Sequence, residues 1–430
     1  MRQLYSGIDK KFFGDTAWNY LAFSVMALTG ILLNFLIAWK SGIESLGVFN
    51  QIYAVYVILG QLAVFGINDS VQKNTAEHNN DINLVHLIGS SALYLSLLFG
   101  VFLSILLFLL SEIIASIIES NQVGLGLKIV APAIALFAIN KVMMGVLNGL
   151  RKIRAFSIAQ IIRLVVILTT CCFIIFDGRP AYQLAIGFLM AEILLAPILL
   201  VTTKTWKWPF NENDSLTWIT NHLKFGVKAL SGGFLSESYL RIDILMLAIF
   251  VGDKEIGIYS FAAMFIEGLF QLSVVIRTVA NPILVQLIIQ KNISLVINFV
   301  RKVAPLSMAI YLIVACAIWF CFPFLEIIYP NTLIVESREI ILILSIGLLI
   351  YSAFIPVEYV FLQSGMPGKQ SILFLINITF NLILNLALIP FLGIKGAAIA
   401  TAISFVLSAL NVNICSKLWL GYSKGLLFKP

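Results

Sequence analysis

Charge is scarce in this chain. Asp, Glu, Lys and Arg make up 11% of its 430 residues, against roughly a quarter in an ordinary globular domain, which excludes a water-soluble enzyme. Histidine is scarcer still. His78, His86 and His222 fall in or beside polar breaks, form no cluster, and read as solvated surface residues. No GxxxxGK[ST] phosphate loop is present, so no nucleotide-driven pump is encoded, and HExxH, CxxC and GxSxG are missing as well. The five cysteines, Cys171, Cys172, Cys316, Cys321 and Cys415, lie in or at the ends of apolar runs. There they act as small hydrophobes and not as a disulfide or zinc framework. Catalytic residues, a metal site and a cofactor are therefore not expected, and the chain reads as a non-enzyme.

What the chain has instead is apolar length. Sixty per cent of its residues are hydrophobic and the mean hydropathy is +1.00, which also excludes disorder. Runs long enough to span a bilayer cover 16–39, 46–67, 84–110, 125–147, 156–176 and 181–203. Six more cover 225–250, 256–280, 303–325, 340–362, 371–391 and 394–414. Continuous runs of ~20 residues satisfy their own backbone as helices, whereas barrel strands would show ~10-residue alternation. The expected fold is an all-α polytopic membrane protein of about twelve transmembrane helices. The first run is too long for a signal-peptide core and lacks a small-residue cleavage pattern, so it reads as the first span.

The formal charge of +7 is explained by placement and not by nucleic acid. With the N-terminus in the cytoplasm, seventeen Lys and Arg lie in cytoplasmic segments, and five (Lys40, Arg179, Lys254, Arg338 and Lys395) lie on the opposite side. Both termini are thus expected in the cytoplasm. Trp18, Trp39, Trp206, Trp208 and Trp419 fall near span ends, as interfacial anchors do.

The halves echo each other. Gly42-Ile-Glu-Ser-Leu-Gly47-Val-Phe49 follows span one, and Gly252-Asp-Lys-Glu-Ile-Gly257-Ile-Tyr259 follows span seven. Six spans is an even number, so the repeats share one orientation about an axis along the membrane normal. The expected organisation is an N-terminal six-helix lobe (1–203), a cytoplasmic linker (204–224) and a C-terminal six-helix lobe (225–430), with a central cavity between two like lobes.

Ionisable residues inside spans cost ~2.5–3.5 kcal/mol each on insertion scales and are functional candidates for that reason. The cations are Lys128, Lys141, Arg163, Lys228, Arg241 and Arg277. Lys128 is near an outer end and reads as snorkelling. The other five are expected to coat a cationic, anion-attracting vestibule, although Lys228 and Arg277 are close enough to an end to snorkel. Among the acids, Glu237 is spaced to pair with Arg241 along one helix face, and Asp243 points elsewhere and needs another partner. Glu192, Glu267 and Glu358 are single acids suited either to proton or sodium coupling or to plain ion pairs. Asn377, Asn381 and Asn385 recur every four residues, and Asn140 lies in span four. Such amides can contact sugar hydroxyls or bond helix to helix.

Three segments carry a family resemblance: GIESLGVF (42–49), RIDILMLAIFVGDKEIGIYSFA (241–262) and NLILNLALIPFLGIKGAAIATAIS (381–404). On them, and over nearly its whole length, the sequence resembles the polysaccharide (Wzx-type O-antigen) flippases of the multidrug/oligosaccharidyl-lipid/polysaccharide exporter superfamily. The resemblance implies a MATE-like fold in the bacterial cytoplasmic (inner) membrane. It also implies transfer of undecaprenyl-diphosphate-linked oligosaccharide from the inner to the outer leaflet by alternating access, for O-antigen or other surface polysaccharide. Polysaccharide polymerase and chain-length machinery are the implied partners, along with proton or sodium coupling. Lipid II flippases of this superfamily usually have fourteen helices and basic residues in spans one and two, which are lacking here. Drug exporters often place an acid within span one, where this chain has only Asp15 at the edge. A cation-coupled multidrug exporter is the alternative.

Overall fold

The computed structural model describes residues 10–204, 215–227, 241–290 and 293–421 together with Leu426, and every regular element among the described residues is helical. The helices are α1 (Lys10–Leu36), α2 (Ile43–Val64), α3 (Ile67–Glu77), α4 (Ile82–Ile117), α5 (Asn121–Gly149), α6 (Ile153–Phe176) and α7 (Ala185–Thr203). After these come α8 (215–227), α9 (Ile242–Phe250), α10 (Asp253–Ile289), α11 (Ile293–Cys321), α12 (Asn331–Ser352), α13 (Val360–Gln363) and α14 (Pro367–Leu420). Among the described residues nine helices are long and apolar enough to cross a membrane, or ten when the bent pair Asn331–Ser352 and Ile355–Gln363 counts as one span. The 54-residue α14 contains both of the last two expected spans. They part at Gly393, whose φ of 54° and ψ of −132° lie where a side chain would be strained.

Helix ends are fixed by local chemistry. Asp81 caps α4 by accepting from the backbone N–H of Asn83 and Leu84 at 3.1 Å, and Ser120 caps α5 through Val123 N–H. Between α2 and α3 the chain reverses on Phe65 and Gly66, both with positive φ.

The chain forms two compact units. Unit 1 comprises Met1–Ser41 and Gln51–Phe234, and unit 2 comprises Gly42–Asn50 and Leu235–Pro430. In unit 1, α4 and α7 lie against α5, and the short α3 crosses it at Gly145 and Gly149. A Cβ at those glycines would meet the carbonyls of Asn68 and Gln72 at 2.8 and 2.6 Å. In unit 2, α10 and α14 pack on α12, and α9 lies along α14.

Within unit 2 the two echoing motifs touch. A Cβ on Gly47 would overlap the carbonyl of Asp253, and one on Gly257 would overlap the carbonyl of Ile43. Gly47 and Gly257 are the sixth residues of their motifs, and Ile43 and Asp253 the second. The contact is therefore reciprocal, as in an interface between two-fold related copies.

One expectation is corrected. His222 on α8 is buried and not solvated. Its Nδ1 lies 2.8 Å from the Ser70 hydroxyl of α3, and its Nε2 lies 3.1 Å from the Ile88 carbonyl of α4. The carbonyl can only accept, so Nε2 carries the proton and Ser70 donates to Nδ1. Leaving water for this pocket lowers the pKa of His222 to about 4, and the ring stays neutral.

Candidate functional site

Unit 1 holds a polar network at the meeting of four apolar helices. Glu192 of α7 is fully buried and accepts from Tyr56 Oη of α2 at 2.7 Å and from Asn140 Nδ2 of α5 at 2.7 Å. The same Asn140 amide donates to the Glu192 backbone carbonyl at 3.0 Å. Arg163 of α6 completes the group: Nη2 donates to Oε2 at 3.1 Å, and Nε lies 2.8 Å from Oε1. That second approach is too oblique for a directed hydrogen bond and acts through charge. The Arg163 side chain remains 14% exposed while Glu192 is sealed, so what access the pair has lies on the arginine's side. Phe137 of α5 joins this network to Lys141. Its ring centroid is 5.1 Å from Arg163 Cζ and 5.5 Å from Lys141 Nζ, within the range of a cation–π contact.

Unit 2 repeats the arrangement with other helices. Arg277 Nη1 of α10 donates to Glu358 Oε2 at 2.6 Å, Tyr351 of α12 donates its hydroxyl to Oε1, and Gln370 Nε2 of α14 donates to the Glu358 backbone carbonyl at 3.0 Å. The guanidinium of Arg277 also lies 4.4 Å from the Tyr359 ring centroid. In both units a tyrosine and an arginine bind the carboxylate while an amide holds that glutamate's own carbonyl. Elsewhere in unit 2, Arg241 pairs with Glu267 at 2.9 Å. Glu237, expected to pair with Arg241, lies outside the described residues, as does Lys228.

Asp243 of α9 is built differently. It is buried and accepts from Tyr259 Oη at 2.8 Å, Thr401 Oγ1 at 2.6 Å and Asn385 Nδ2 at 2.8 Å. Asn385 Nδ2 also reaches Asn381 Oδ1, and Asn381 Nδ2 reaches Thr401. Of the three buried acids Glu192, Glu358 and Asp243, Asp243 alone has no Lys or Arg in ion-pair range among the described residues. The buried Oδ1 of Asn385 beside it has no donor among the described residues.

The same helices place the chain among known proteins. Residues 13–288, more than half of the sequence, match the family model described as polysaccharide biosynthesis protein. The chain belongs to the polysaccharide biosynthesis protein family. One relative is Agl15 of Haloferax volcanii, named as a low-salt glycan biosynthesis flippase, which is 24% identical over 411 residues covering 92% of this chain and 82% of Agl15. Another, from Shigella flexneri, is named as an O-antigen transporter and is 23% identical over 424 residues, covering 92% of this chain and 95% of its own length. The fold is that of an inward-facing MATE family transporter of the MOP superfamily (TM-score 0.75, 14% identity, 92% of this chain and 94% of that one). It is equally that of the lipid II flippase MurJ in an inward closed conformation (TM-score 0.74, 15% identity, 94% and 87%).

In this polysaccharide biosynthesis family member, the structure brings eleven of the candidate residues together as Arg163–Glu192–Asn140 with Lys141, Arg277–Glu358, Arg241–Glu267, and Asp243–Asn385 with Asn381. Asn377 stands apart, its Oδ1 accepting from Asn411 Nδ2 at 2.8 Å. The asparagine stripe is buried and is engaged by Asp243, Thr401 and Asn411. Sequence reasoning missed Tyr56, Tyr259, Tyr351, Thr401, Gln370 and Phe137. The tyrosines count as apolar in a hydropathy tally, so only their register with a buried acid on another helix could have singled them out.

Proposed function

We propose that this transporter moves oligosaccharide units linked to undecaprenyl diphosphate from the inner to the outer leaflet of the cytoplasmic membrane by alternating access. The observation that carries the reading is the largely buried arginine held on a deeper glutamate in each unit, Arg163 on Glu192 and Arg277 on Glu358. An unpaired arginine in hydrocarbon is expensive. The glutamate removes that cost while the site is empty, and the guanidinium has N–H donors beyond those the glutamate takes, which suit phosphate oxygens in charge-assisted hydrogen bonds.

The energetic need is plain. Each sugar hydroxyl entering hydrocarbon unpaired costs ~4–8 kcal/mol on the cyclohexane scale, so a polar route is required. Outward movement of a diphosphate is assisted by an inside-negative potential at ~2.3 kcal/mol per charge per 100 mV. Asp243, buried with no basic partner among the described residues and beside the spare acceptor of Asn385, is the group suited to couple that movement to a proton or an alkali cation. This feature also favours the second reading, a cation-coupled drug exporter.

Transfer of a fluorescent prenyl-diphosphate oligosaccharide across proteoliposomes tests the first reading. Wild-type protein is expected to expose the label to the far side, and Arg163→Ala with Arg277→Ala to reduce that flux at least about tenfold. Equal flux from protein-free liposomes would sink it. Cation-driven dye efflux without lipid transfer would install the exporter reading instead.

A further inference from the structure

Arg163, Arg241 and Arg277 each pair with a glutamate. Arg338 of α12 does not. Among the described residues it has no acid in ion-pair range and no hydrogen bond, and its Nε is buried without an acceptor. What it touches is Trp319 of α11, whose ring centroid lies 4.2 Å from Cζ, a cation–π stack. The acids on its own helix do not serve it. Glu339 is taken by Lys395 at 2.7 Å, and Glu336, two positions before, points from another side of the helix.

The stack stands at the end of a helical hairpin. α11 and α12 are joined through the 3₁₀ turn Phe322–Ile327. Ser307 donates to the Ser352 carbonyl and Tyr311 to the Ser345 carbonyl, and Trp319 against Arg338 is the next rung, about two turns nearer the connection. Exposed apolar side chains surround this rung: Val335 and Leu342, one turn before and after Arg338, then Phe320 beside Trp319, and Phe324 and Ile327 in the turn. In a chain of membrane spans such positions meet acyl chains. Arg338 and Trp319, both half-buried, therefore form a notch that opens on lipid.

A guanidinium at that boundary is stabilised by water or by an anion. Its stack on Trp319 limits how far it can turn away toward water. We propose that the Arg338–Trp319 notch is a phospholipid site, which binds the phosphodiester of one anionic headgroup while the acyl chains lie along Val335, Leu342 and Phe320. The proposal is independent of what the protein transports. Charge selects the occupant. A singly charged phosphodiester matches one guanidinium, whereas a diphosphate carries more charge than Arg338 offsets, and Glu336 and Glu339 on the same helix repel the excess. A bound headgroup holds the end of the α11–α12 hairpin at a fixed depth in the bilayer.

The test is native mass spectrometry of the purified full-length protein, delipidated in neutral detergent and titrated with phosphatidylglycerol. Wild-type protein should take up one phosphatidylglycerol well before any phosphatidylcholine. Arg338→Gln and Trp319→Ala should each weaken that first binding about tenfold, the scale of a hydrogen bond to a charged group, and leave phosphatidylcholine uptake as it was. Both variants should melt close to wild type without lipid and lose the rise in melting temperature that phosphatidylglycerol gives the wild type. Neither inorganic phosphate nor farnesyl diphosphate should displace the first phosphatidylglycerol at equal concentration. Equal phosphatidylglycerol binding by wild type and Arg338→Gln overturns the proposal. So does wild-type protein that takes phosphatidylcholine as readily, and displacement by farnesyl diphosphate would reassign the notch to a prenyl diphosphate.

Discussion

Arg163 and Glu192, twenty-nine positions apart on neighbouring helices, neutralise each other inside unit 1, with the carboxylate sealed and the arginine largely buried. The same is true of Arg277 and Glu358 in unit 2. The sequence suggests a positively charged lining, whereas the structure shows arginines that each carry an acid. Attraction of an anion must then work by exchange of partners and not by a standing field.

That pairing sets opposite outcomes for single and double substitutions. Glu192→Leu strands a guanidinium among apolar helices and Arg163→Met strands a carboxylate. Removing one partner of a buried pair typically costs about 3–5 kcal/mol. Each single variant is expected to melt well below wild type in detergent. The double variant Arg163→Met/Glu192→Leu should recover most of the loss, because two apolar side chains of similar volume replace the pair, yet it should not transport. A double variant as unstable as the singles would show that Tyr56 and Asn140, not charge, dominate the network.

Asp243→Asn tests the coupling role. The hydroxyls of Tyr259 and Thr401 can turn to meet an amide as readily as a carboxylate, so stability is expected to stay within about 1 kcal/mol of wild type. Transport in proteoliposomes should persist but lose its response to an imposed proton or sodium gradient. A gradient response retained by Asp243→Asn would remove the residue from coupling.

Much of the fold is legible in the sequence because hydrocarbon permits few backbone solutions: long apolar runs must be helices, and the described helices fall on eleven of the twelve runs, the seventh being described only in part. The candidate acids and bases were legible for the same reason, since charge is costly in a span. Their partners were not. Glu192 meets Arg163 and Tyr56 through tertiary packing across 29 and 136 residues of sequence, a relation that helix periodicity does not encode. Burial of His222 was hidden likewise: its helix reads as polar and interfacial until Ser70 and Ile88 are seen against it.

The glycine crossing gives a stability contrast. Gly47→Ala and Gly257→Ala place a methyl into backbone carbonyls on the facing helix, and overpacking of this kind costs about 1–3 kcal/mol. Gly268, inside α10 with nothing within 4 Å of a Cβ, should accept Ala and gain up to about 1 kcal/mol in helix propensity. Thermal unfolding in detergent should order the variants Gly268→Ala, wild type, then the two crossing variants. Tolerance of Ala at both crossing positions would mean that the helices part easily there.

The buried imidazole of His222 makes the docking of α8 depend on pH. Its folded pKa of about 4 lies below the ~6.5 of an exposed histidine, so in the interval between them the undocked state binds a proton that the docked state does not. Stability from this group is complete above about pH 6.5 and falls as pH drops toward 4, below which both states are protonated and the loss levels off. Hydrogen exchange in 215–227 is expected to accelerate through that window relative to α5, which packs through a hydrophobic cluster around Met143 and Leu147. His222→Gln should flatten the dependence while keeping a donor for the Ile88 carbonyl. Exchange in α8 that is equally fast at pH 7.5 and 5 in the wild-type protein would show that the imidazole does not hold this helix.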